Sequence, residues 1–290
     1  MILYYLVYPF IIIFSLLPFS VLYFLSDIVY FITYYLVGYR RKVVITNLTN
    51  SFPEKDRKEI DAIAKKFYRH FCDVMVETIK TTFLSINQLR KRVKFKNPEV
   101  FDKILANGKD VIVVSAHYGN WEWLIGVAQL TGFHAMTVYK PLNNKYFDRF
   151  FIRTRSKFGT GAIAMRSIAK EILLHKKRNI RTLSCLIADQ SPMRSEVQYW
   201  TTFLHQDTPV YLGVEKLARQ TSQAVVFSAV KKIKRGHYEV ENSLLFEDAS
   251  KTEPGQVTEA HVHKLEEIIR EHPEYWLWTH RRWKIKRDIL

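Results

Sequence analysis

The chain has 290 residues, of which 48% are hydrophobic and 25% are charged, which excludes an intrinsically disordered protein and allows a substantial buried core. The formal net charge is +16, and residues 1–38 carry a single charged side chain, Asp27, so the positive charge lies on the remainder. A basic globular part predicts an anionic partner: nucleic acid, anionic lipid, a phosphorylated substrate or an acidic protein. Two cysteines, Cys72 and Cys185, make no disulfide framework, and we predict two buried free thiols.

The N-terminal segment, residues 1–38, is overwhelmingly apolar and aromatic, and its uncapped start does not suit the core helix of a soluble protein. It is longer than the roughly 20 residues that a membrane-spanning helix needs. We predict one span over residues 2–25, kinked near Pro18, and an interfacial segment over residues 28–37. A hairpin of two short spans is the alternative. The basic sequence Arg40-Arg41-Lys42 follows, and the positive-inside rule places everything downstream in the cytoplasm.

Residues 39–92 are predicted to form a helical segment that packs on the domain after it. Apolar residues recur at spacings of three to five over residues 54–83, which predicts a long amphipathic helix, and a short helix follows from Ser85. Residues 93–290 then alternate short apolar runs with helical patterns. Strand candidates are residues 93–95, 111–115, 134–139, 182–188, 224–230 and 238–245, and helix candidates are residues 100–107, 121–131, 145–158, 167–176, 210–221 and 257–271. This alternation predicts an α/β domain with a largely parallel sheet.

The sequence Ser115-Ala-His117-Tyr-Gly-Asn-Trp-Glu122 joins a strand pattern to a helical pattern, at the end of a strand where parallel sheets bind ligands. Residues five apart on one helix point about 140° away from each other. His117 and Glu122 can therefore face each other only if His117 lies in the turn, with Asn120 as the N-cap. Glu122 could then hold one ring nitrogen and leave the other as a base for an alcohol. The plainer interpretation is a polar turn followed by a glutamate that suits the helix dipole.

Candidate site residues also occur in three other places. Asp189-Gln190 ends the strand candidate at residues 182–188 and is followed by Pro192. Three arginines lie on a helical pattern that ends before Gly159: Arg149, Arg153 and Arg155. Indoles and cations interleave near the C-terminus, from Trp276 to Lys284.

These motifs together resemble the acyltransferases that add secondary (lauroyl or myristoyl) acyl chains in lipid A biosynthesis, over nearly the whole chain. The resemblance rests on the apolar N-terminal anchor, the His-x4-acid motif from His117 to Glu122 with Asn-Trp inside it, Arg155 before Gly159, Asp189 with Gln190, and the closing His280-Arg-Arg-Trp283. The chain departs from the family pattern at Phe203-Leu204-His205, where Phe-Phe-Gly is frequent, and at Phe227, where proline is common. These positions shape the pocket, so the acceptor and the acyl length stay open.

The resemblance implies transfer of an acyl group from a thioester on acyl carrier protein to a hydroxyl of a lipid A precursor. The implied acceptor is a phosphorylated glucosamine lipid that bears acidic Kdo sugars. The implied fold is an α/β domain of the glycerolipid-acyltransferase type. The implied location is the bacterial inner membrane, with the catalytic domain, residues 93–290, facing the cytoplasm. The expected partners are acyl carrier protein, anionic membrane lipid and the phosphorylated glycolipid, which suit the basic charge. Nucleic acid is not expected, because no nucleic-acid-binding motif is present.

The resemblance and the residue chemistry together assign roles to the candidate residues. His117 would be the general base and Glu122 would orient it, with no metal, no cofactor and no covalent intermediate. Substrate binding or stabilisation of the oxyanion is assigned to Arg155, Asp189 and Gln190. Contact with lipid head groups at the membrane interface is assigned to Arg281, Arg282 and Trp283. Packing of the C-terminal tryptophans in the core is the alternative for the last group.

Four other functions remain open at this point. One is a metal-dependent hydrolase with His117, Glu122 and a third ligand from His261, His263 or His280, although two histidines four apart around a glutamate are absent. The second is a membrane tether without catalysis. The third is nucleic-acid binding, which the charge permits. The fourth is an acyltransferase of the same mechanism that acts on another envelope lipid, mannosylated or amino-acid-linked.

Overall fold

The structure, a computed structural model, describes residues 2–287. Met1 and residues 288–290, which fall in the first and last predicted segments, lie outside the described residues. The described α-helices are α1 (Ile2–Leu16), α2 (Phe19–Phe31), α3 (Arg41–Ser51), α4 (Arg57–Thr81), α5 (Ile86–Arg92), α6 (Glu99–Ala106), α7 (Lys145–Arg155), α8 (Ile168–Lys177), α9 (Gly213–Thr221) and α10 (Gln256–Glu271). A π-helical turn (Ile32–Leu36) continues α2, and the segment Trp121–Gln129 is a 3-10 helix.

The apolar N-terminal segment consists of two helices that meet at Pro18. This residue stands directly before α2 and lacks an N–H group, so the helix of α1 does not continue through it, as the predicted kink requires. Among residues 2–287, one helix is long and apolar enough to cross a membrane, Phe19–Leu36, and 22% of that window is buried. This candidate helix differs in its bounds from the predicted span over residues 2–25 and includes most of the predicted interfacial segment at residues 28–37. Both membrane assignments stay predictions.

The helical segment that follows is dominated by α4, which packs against α1, α2 and α3. Its predicted existence is confirmed, and a capping box fixes its start: the Asp56 side chain accepts from the N–H of Glu59, while the Glu59 side chain accepts from the N–H of Asp56. The sequence analysis missed α3, because two of its four buried positions are polar, Asn47 and Ser51, and interrupt the apolar stripe.

The described residues form a main sheet of seven strands in the order β1-β9-β8-β2-β5-β3-β4. These strands are β1 (Val93–Lys96), β2 (Val111–Ser115), β3 (His134–Tyr139), β4 (Gly161–Ala164), β5 (Thr182–Ile187), β8 (Ala224–Lys234) and β9 (His237–Phe246), and a separate antiparallel hairpin pairs β6 (Tyr199–Phe203) with β7 (Gln206–Val210). Every neighbouring pair in the main sheet is parallel except β8 and β9. The predicted α/β fold with a largely parallel sheet is confirmed, although β4, β6 and β7 were not predicted.

The centre of the sheet is β2, whose five residues are all buried. Ile112 and Val114 pack in one hydrophobic cluster, whereas Val111 and Val113 pack in another on the opposite face of the sheet. Alternate side chains of a strand point to opposite faces, so layers cover the sheet on both sides. The chain leaves the buried sheet at the carboxyl end of β2, shortly before His117.

Both cysteines are free and buried in the structure, as predicted. Burial raises the pKa of Cys185 to about 12 and that of Cys72 to about 11. Neither thiol is therefore ionised near neutral pH, which makes both poor nucleophiles.

Candidate active site

The site is built where two neighbouring parallel strands end. Ser115, the last residue of β2, pairs in register with Ile187, the last residue of β5. Two residues further on, His117 and Asp189 therefore leave the sheet side by side. The imidazole Nδ1 of His117 lies 2.7 Å from Oδ1 of Asp189, and the backbone N–H of His117 donates to Oδ2 at 3.1 Å.

The Asp189 carboxylate is buried and fully engaged. Its side chain is 3% exposed, against 21% for His117, and the indole N–H of Trp276 donates to Oδ2 at 2.8 Å. Three donors therefore fix this carboxylate, and the carboxylate in turn fixes the imidazole ring. These hydrogen bonds give Asp189 a place in holding His117, and its assignment to substrate binding stays a prediction.

The electrostatics of the pair favour an ionised aspartate next to a basic imidazole. Burial lowers the pKa of His117, but the Asp189 carboxylate outweighs burial, so the pKa lies above its ordinary value. Burial raises the pKa of Asp189, but His117 and the Trp276 hydrogen bond outweigh it, so this pKa lies below its ordinary value. The two directions agree with an attraction between the groups that exceeds the effect of burial.

The second ring nitrogen of His117 points toward the accessible side of the site. With the Nδ1 proton donated to Asp189, Nε2 is the basic nitrogen of the neutral ring. The side-chain amide of Gln190 lies 3.3 Å from Nε2, and the indole of Trp121 packs edge-on to the imidazole, with ring centroids 5.0 Å apart. A hydroxyl group that displaces the Gln190 amide would meet an oriented base.

Glu122 does not orient His117, which corrects the prediction from the spacing. Its carboxylate accepts two hydrogen bonds from Arg155, from Nη2 to Oε1 at 2.9 Å and from Nε to Oε2 at 3.3 Å. The segment around Glu122 is a 3-10 helix, which advances about 120° per residue, so the geometry assumed for an α-helix does not apply. The ring nitrogen of His117 that Glu122 would have bound is held by Asp189 instead. Glu122 still acts on His117 through its charge, which favours the protonated ring.

Asn120 does not cap the helix that follows it, contrary to the sequence-based expectation. Its side chain makes no capping hydrogen bond, and its Nδ2 donates instead to Oε2 of Glu77 on α4 at 2.7 Å. The turn is completed by Gly119, which has φ +59°, and a Cβ atom at this position would lie 2.0 Å from the carbonyl oxygen of Val230. Glycine is therefore required here both by the backbone angle and by the close approach of β8.

The metal ligands proposed for a hydrolase are not brought together. Glu122 is paired with Arg155, while His263 is largely exposed and lies 3.7 Å from Glu259 on its own helix. Within residues 2–287, no group of three or more histidine, cysteine, aspartate or glutamate side chains is arranged to hold a metal ion.

Comparisons with known sequences identify the family. The sequence profile described as "Bacterial lipid A biosynthesis acyltransferase" matches residues 1–285. The chain belongs to this family. It is 22% identical over 249 residues to the "Lipid A biosynthesis acyltransferase" of Haemophilus influenzae (strain ATCC 51907 / DSM 11121 / KW20 / Rd), covering 84% of this chain and 75% of the relative.

A solved structure also matches, with low similarity. It is the crystal structure of the 1-acyl-sn-glycerophosphate (LPA) acyltransferase, PlsC, from Thermotoga maritima, at 13% sequence identity and a TM-score of 0.40, covering 88% of this chain and 96% of that chain. The family assignment rests on the sequence matches, and it makes this protein an acyltransferase.

The C-terminal residues that were assigned to lipid head groups mostly lie in the interior of this acyltransferase. Arg282 is 3% exposed and donates from Nη2 to the carbonyl oxygen of Pro209 at 2.9 Å, and burial lowers its pKa to about 10. Trp283 is 7% exposed, and its indole N–H donates to Oγ1 of Thr208 at 2.7 Å. The interface assignment is therefore wrong for Arg282 and Trp283, because both side chains pack under the β6–β7 hairpin, whereas Arg281 is exposed.

The remaining tail residues support the loop that carries Asp189. The backbone N–H of Ser191 donates to Nε2 of His280 at 3.2 Å, so this histidine accepts a hydrogen bond and is neutral. Burial lowers the pKa of His280 to about 4, which agrees with that role.

Of the three arginines on α7, Arg149 and Arg153 are exposed, and Arg155 is the one that reaches Glu122.

The sequence analysis named Asp189 but missed its role, and it did not name Glu77 at all. A usable signal for Asp189 was present: polar residues directly after two buried apolar runs meet if those runs are neighbouring parallel strands. Strand order is not readable from one sequence, so β2 and β5 could not be identified as neighbours. Glu77 lies in an amphipathic helical pattern, where a solvated glutamate side chain is the ordinary expectation.

Proposed function

We propose that this protein transfers a fatty acyl group from acyl-acyl carrier protein to a hydroxyl of a lipid A precursor. The observation that carries the proposal is the imidazole of His117, held at Nδ1 by the buried Asp189 carboxylate and presenting Nε2 to the accessible side of the site. A histidine held in this way is an oriented general base. The family assignment supplies the acyl group as the group transferred.

In the proposed reaction, Nε2 of His117 removes the proton of the acceptor hydroxyl as its oxygen attacks the thioester carbonyl. The new carbon–oxygen bond gives a tetrahedral oxyanion, and its collapse breaks the carbon–sulfur bond. The leaving thiolate takes the proton from the imidazolium, so the base is regenerated. Asp189 stabilises the imidazolium while it exists. The mechanism needs no covalent enzyme intermediate, no metal and no cofactor.

Arg155 is the proposed source of positive charge for the oxyanion. Its guanidinium donates two hydrogen bonds to the Glu122 carboxylate. The positive charge of Arg155 lowers the pKa of His117. A fixed cation near the reacting carbonyl stabilises the transition state more than a mobile one, because no reorganisation is needed. In this proposal Glu122 positions Arg155, and Gln190 contacts the acceptor hydroxyl.

The proposed partners follow from charge and from the apolar helix. The net charge of +16 suits an acidic carrier protein, anionic lipid and a phosphorylated glycolipid. The helix Phe19–Leu36 would lie in the inner membrane, and the basic sequence Arg40-Arg41-Lys42 after it favours a catalytic domain on the cytoplasmic side. The proposal predicts a rate with acyl carrier protein that falls as salt is added.

The test is a membrane assay with lauroyl- and myristoyl-acyl carrier protein as labelled donors and a Kdo-bearing tetra-acylated lipid A precursor as acceptor. We expect wild type to label the precursor, and His117→Ala to lose the rate by on the order of a hundredfold or more. His263→Ala removes an exposed histidine of α10 and serves as the matched control.

Each contrary result points to a specific alternative. Normal turnover by a folded His117→Ala protein would refute the mechanism. Labelling of a mannosylated or amino-acid-linked envelope lipid in place of the precursor would replace the acceptor and keep the chemistry. Loss of activity with a chelator would favour a metal-dependent reaction instead.

A further inference from the structure

The loop that carries His117, residues 116–121, is held by hydrogen bonds with one face of the long helix α4. Three of the α4 side chains that contact the loop and the 3-10 helix after it are His70, Glu77 and Thr81. These positions are seven and four residues apart, so they lie along one side of an α-helix. The helix therefore presents a row of polar groups to the segment on which the proposed base depends.

Glu77 makes the shortest of these contacts, at 2.7 Å from Nδ2 of Asn120. It is fully buried, and its carboxylate accepts three hydrogen bonds: Oε1 from the hydroxyl of Tyr23 at 2.8 Å, and Oε2 from Asn120 at 2.7 Å and from the hydroxyl of Tyr238 at 2.8 Å. Each donor belongs to a different element, namely α2, the loop and β9. A carboxylate with three donors from three directions determines where each of them lies.

The other contacts of the loop explain why one more hydrogen bond matters. Gly119 donates its N–H to the carbonyl oxygen of Tyr275 at 3.0 Å, and its own carbonyl lies 3.2 Å from Nε2 of His70. His117 accepts at its backbone carbonyl from the N–H of Leu277 at 3.1 Å. The C-terminal segment thus fixes one side of the loop, and α4 fixes the other side through His70 and Glu77.

Burying the carboxyl group of Glu77 costs free energy, which indicates that the side chain has a function in the interior. Burial raises the pKa of Glu77 to about 7, because taking a carboxylate out of water is unfavourable, although its three donors act in the opposite direction. An apolar residue in this position would avoid that cost but would leave Asn120 Nδ2 and two hydroxyls without an acceptor.

We infer that Glu77 is a positioning residue for the acyl transfer, which holds the His117 loop in its reactive conformation through Asn120. This inference rests on the proposed function, because it assigns Glu77 the placement of the proposed base. Glu77 does not touch the reacting atoms, and it acts through the hydrogen bond to Asn120. It also ties the apolar helix α2 to the same loop through Tyr23.

The test compares Glu77→Gln with a matched control, Glu215→Gln, in the full-length protein. Glu215 is also a buried glutamate with three donors, from the N–H groups of Gly255 and Thr258 and the hydroxyl of Thr258, none of them in the loop. We expect Glu77→Gln to lower kcat by about 10- to 100-fold with little change in KM, because a displaced base costs rate and not binding. We expect Glu215→Gln to lower the melting temperature while kcat stays within about twofold.

Two further readouts separate positioning from loss of stability. Hydrogen exchange of amides in residues 116–121 should speed up in Glu77→Gln and stay at the wild-type rate in Glu215→Gln. Asn120→Asp places two carboxylates together and should be strongly impaired. Combining it with Glu77→Gln restores a donor–acceptor pair of reversed polarity, and the double variant should exceed Asn120→Asp in kcat by about tenfold.

The inference would be overturned by a folded Glu77→Gln protein with wild-type kcat and unchanged loop exchange. It would also be overturned by a double variant no more active than Asn120→Asp. Failure of the proposed function has a different signature, a fully active His117→Ala protein. In that case the exchange measurement alone still decides whether Glu77 holds the loop.

Discussion

At the scale of single residues, the chemistry depends on which acid holds the imidazole of His117. A carboxylate bonded to Nδ1 raises the basicity of the ring and keeps the proton off Nε2. Asp189 does this from a buried position with its own lone pairs filled by His117 and Trp276. Its hydrogen-bonding geometry is therefore set before any substrate arrives.

We predict that Asp189→Asn lowers the activity at its optimum pH by on the order of a hundredfold or more, because the tautomer of His117 is no longer enforced. The pH profile should move as well. A base must be neutral, so the wild-type rate rises with pH through the pKa of His117, which lies above its ordinary value. Without the Asp189 charge, the lowering effect of burial remains, so the midpoint of kcat/KM shifts to lower pH.

The control for this change is Asp110→Asn. Asp110 is also buried and lies at the opposite end of the sheet, where its Oδ1 accepts from the N–H and the hydroxyl of Thr182. This variant is expected to lose stability and to keep the wild-type midpoint. A midpoint that moves equally in both variants would contradict the role of Asp189.

The second residue-scale prediction concerns Glu122 and Arg155. If Glu122 works by holding Arg155, then removing either partner removes the same effect. We predict that Glu122→Gln and Arg155→Gln each reduce kcat, and that the double variant is reduced little more than the worse single variant. Steady-state kinetics of the four proteins form the cycle. Fully additive losses would show that the two side chains act independently.

The sequence named the proposed base and the three charged residues that shift its pKa, but it paired them incorrectly. His117, Glu122, Arg155 and Asp189 were all named from motifs at strand and helix ends. Their partners depend on which strands are neighbours and on whether residues 121–129 are α-helical. Both are tertiary properties, because the 3-10 conformation and the β2–β5 register depend on packing and not on local spacing.

At the scale of elements, the loop after β2 is defined by how closely β8 approaches it. The positive φ of Gly119 and the contact with Val230 leave no room for a side chain. Positive φ angles also occur in the two-residue turn of the β6–β7 hairpin, at Leu204 (49°) and His205 (63°). Glycine would suit that turn, because it adopts a positive φ without strain.

Gly119→Ala is predicted to destabilise the protein by about 3 kcal/mol or more, because both the backbone angle and the overlap with β8 must be relieved. The loop must move for this to happen, so the remaining folded protein should have little activity. Denaturant unfolding and kcat check the two parts. Gly38→Ala is the control, since Gly38 also has a positive φ, +62°, but a Cβ there meets nothing within 4 Å.

An alanine at position 38 tests backbone strain without overlap. We expect it to cost about 1 kcal/mol and to leave kcat unchanged. Equal losses at the two positions would show that the approach of β8 to the loop has no effect of its own.

At the scale of the whole molecule, a basic side chain in the β8–β9 turn joins the apolar N-terminal helix to the rest of the fold. Arg235 donates from Nε and Nη2 to Oδ1 of Asp73 on α4, at 2.9 and 2.7 Å, and from Nη1 and Nη2 to Asp27 on α2, at 3.0 and 2.8 Å. Its guanidinium also lies over the ring of Tyr23, 4.7 Å from the centroid. We call these interactions of Arg235 with Asp73 and Asp27 the clasp. The clasp gives Asp27 a positively charged partner, which explains why an acidic residue is tolerated within the long apolar helix.

The two carboxylates in this clasp differ in burial, and this difference gives the final prediction. Asp73 is 1% exposed in its side chain, whereas Asp27 is 49% exposed. Arg235→Ala leaves Asp73 in the interior with Lys232 at 3.3 Å and the hydroxyl of Ser26 at 2.8 Å as its remaining partners. We expect a loss of roughly 3 kcal/mol in the free energy of unfolding, because a buried charge loses its main counterion.

Asp27→Asn removes the more exposed carboxylate of the same clasp and should cost less than Arg235→Ala, because the buried Asp73 keeps its counterion. The measurement is denaturant unfolding in detergent, together with limited proteolysis near the junction of α2 and α3. If the clasp secures the apolar helix to the catalytic part, cleavage should be faster in Arg235→Ala than in Asp27→Asn. Because α2 also supplies Tyr23 to Glu77, a loosened helix should slow catalysis in Arg235→Ala as well, and equal stability, cleavage and kcat in the two variants would show that the clasp does not join these parts.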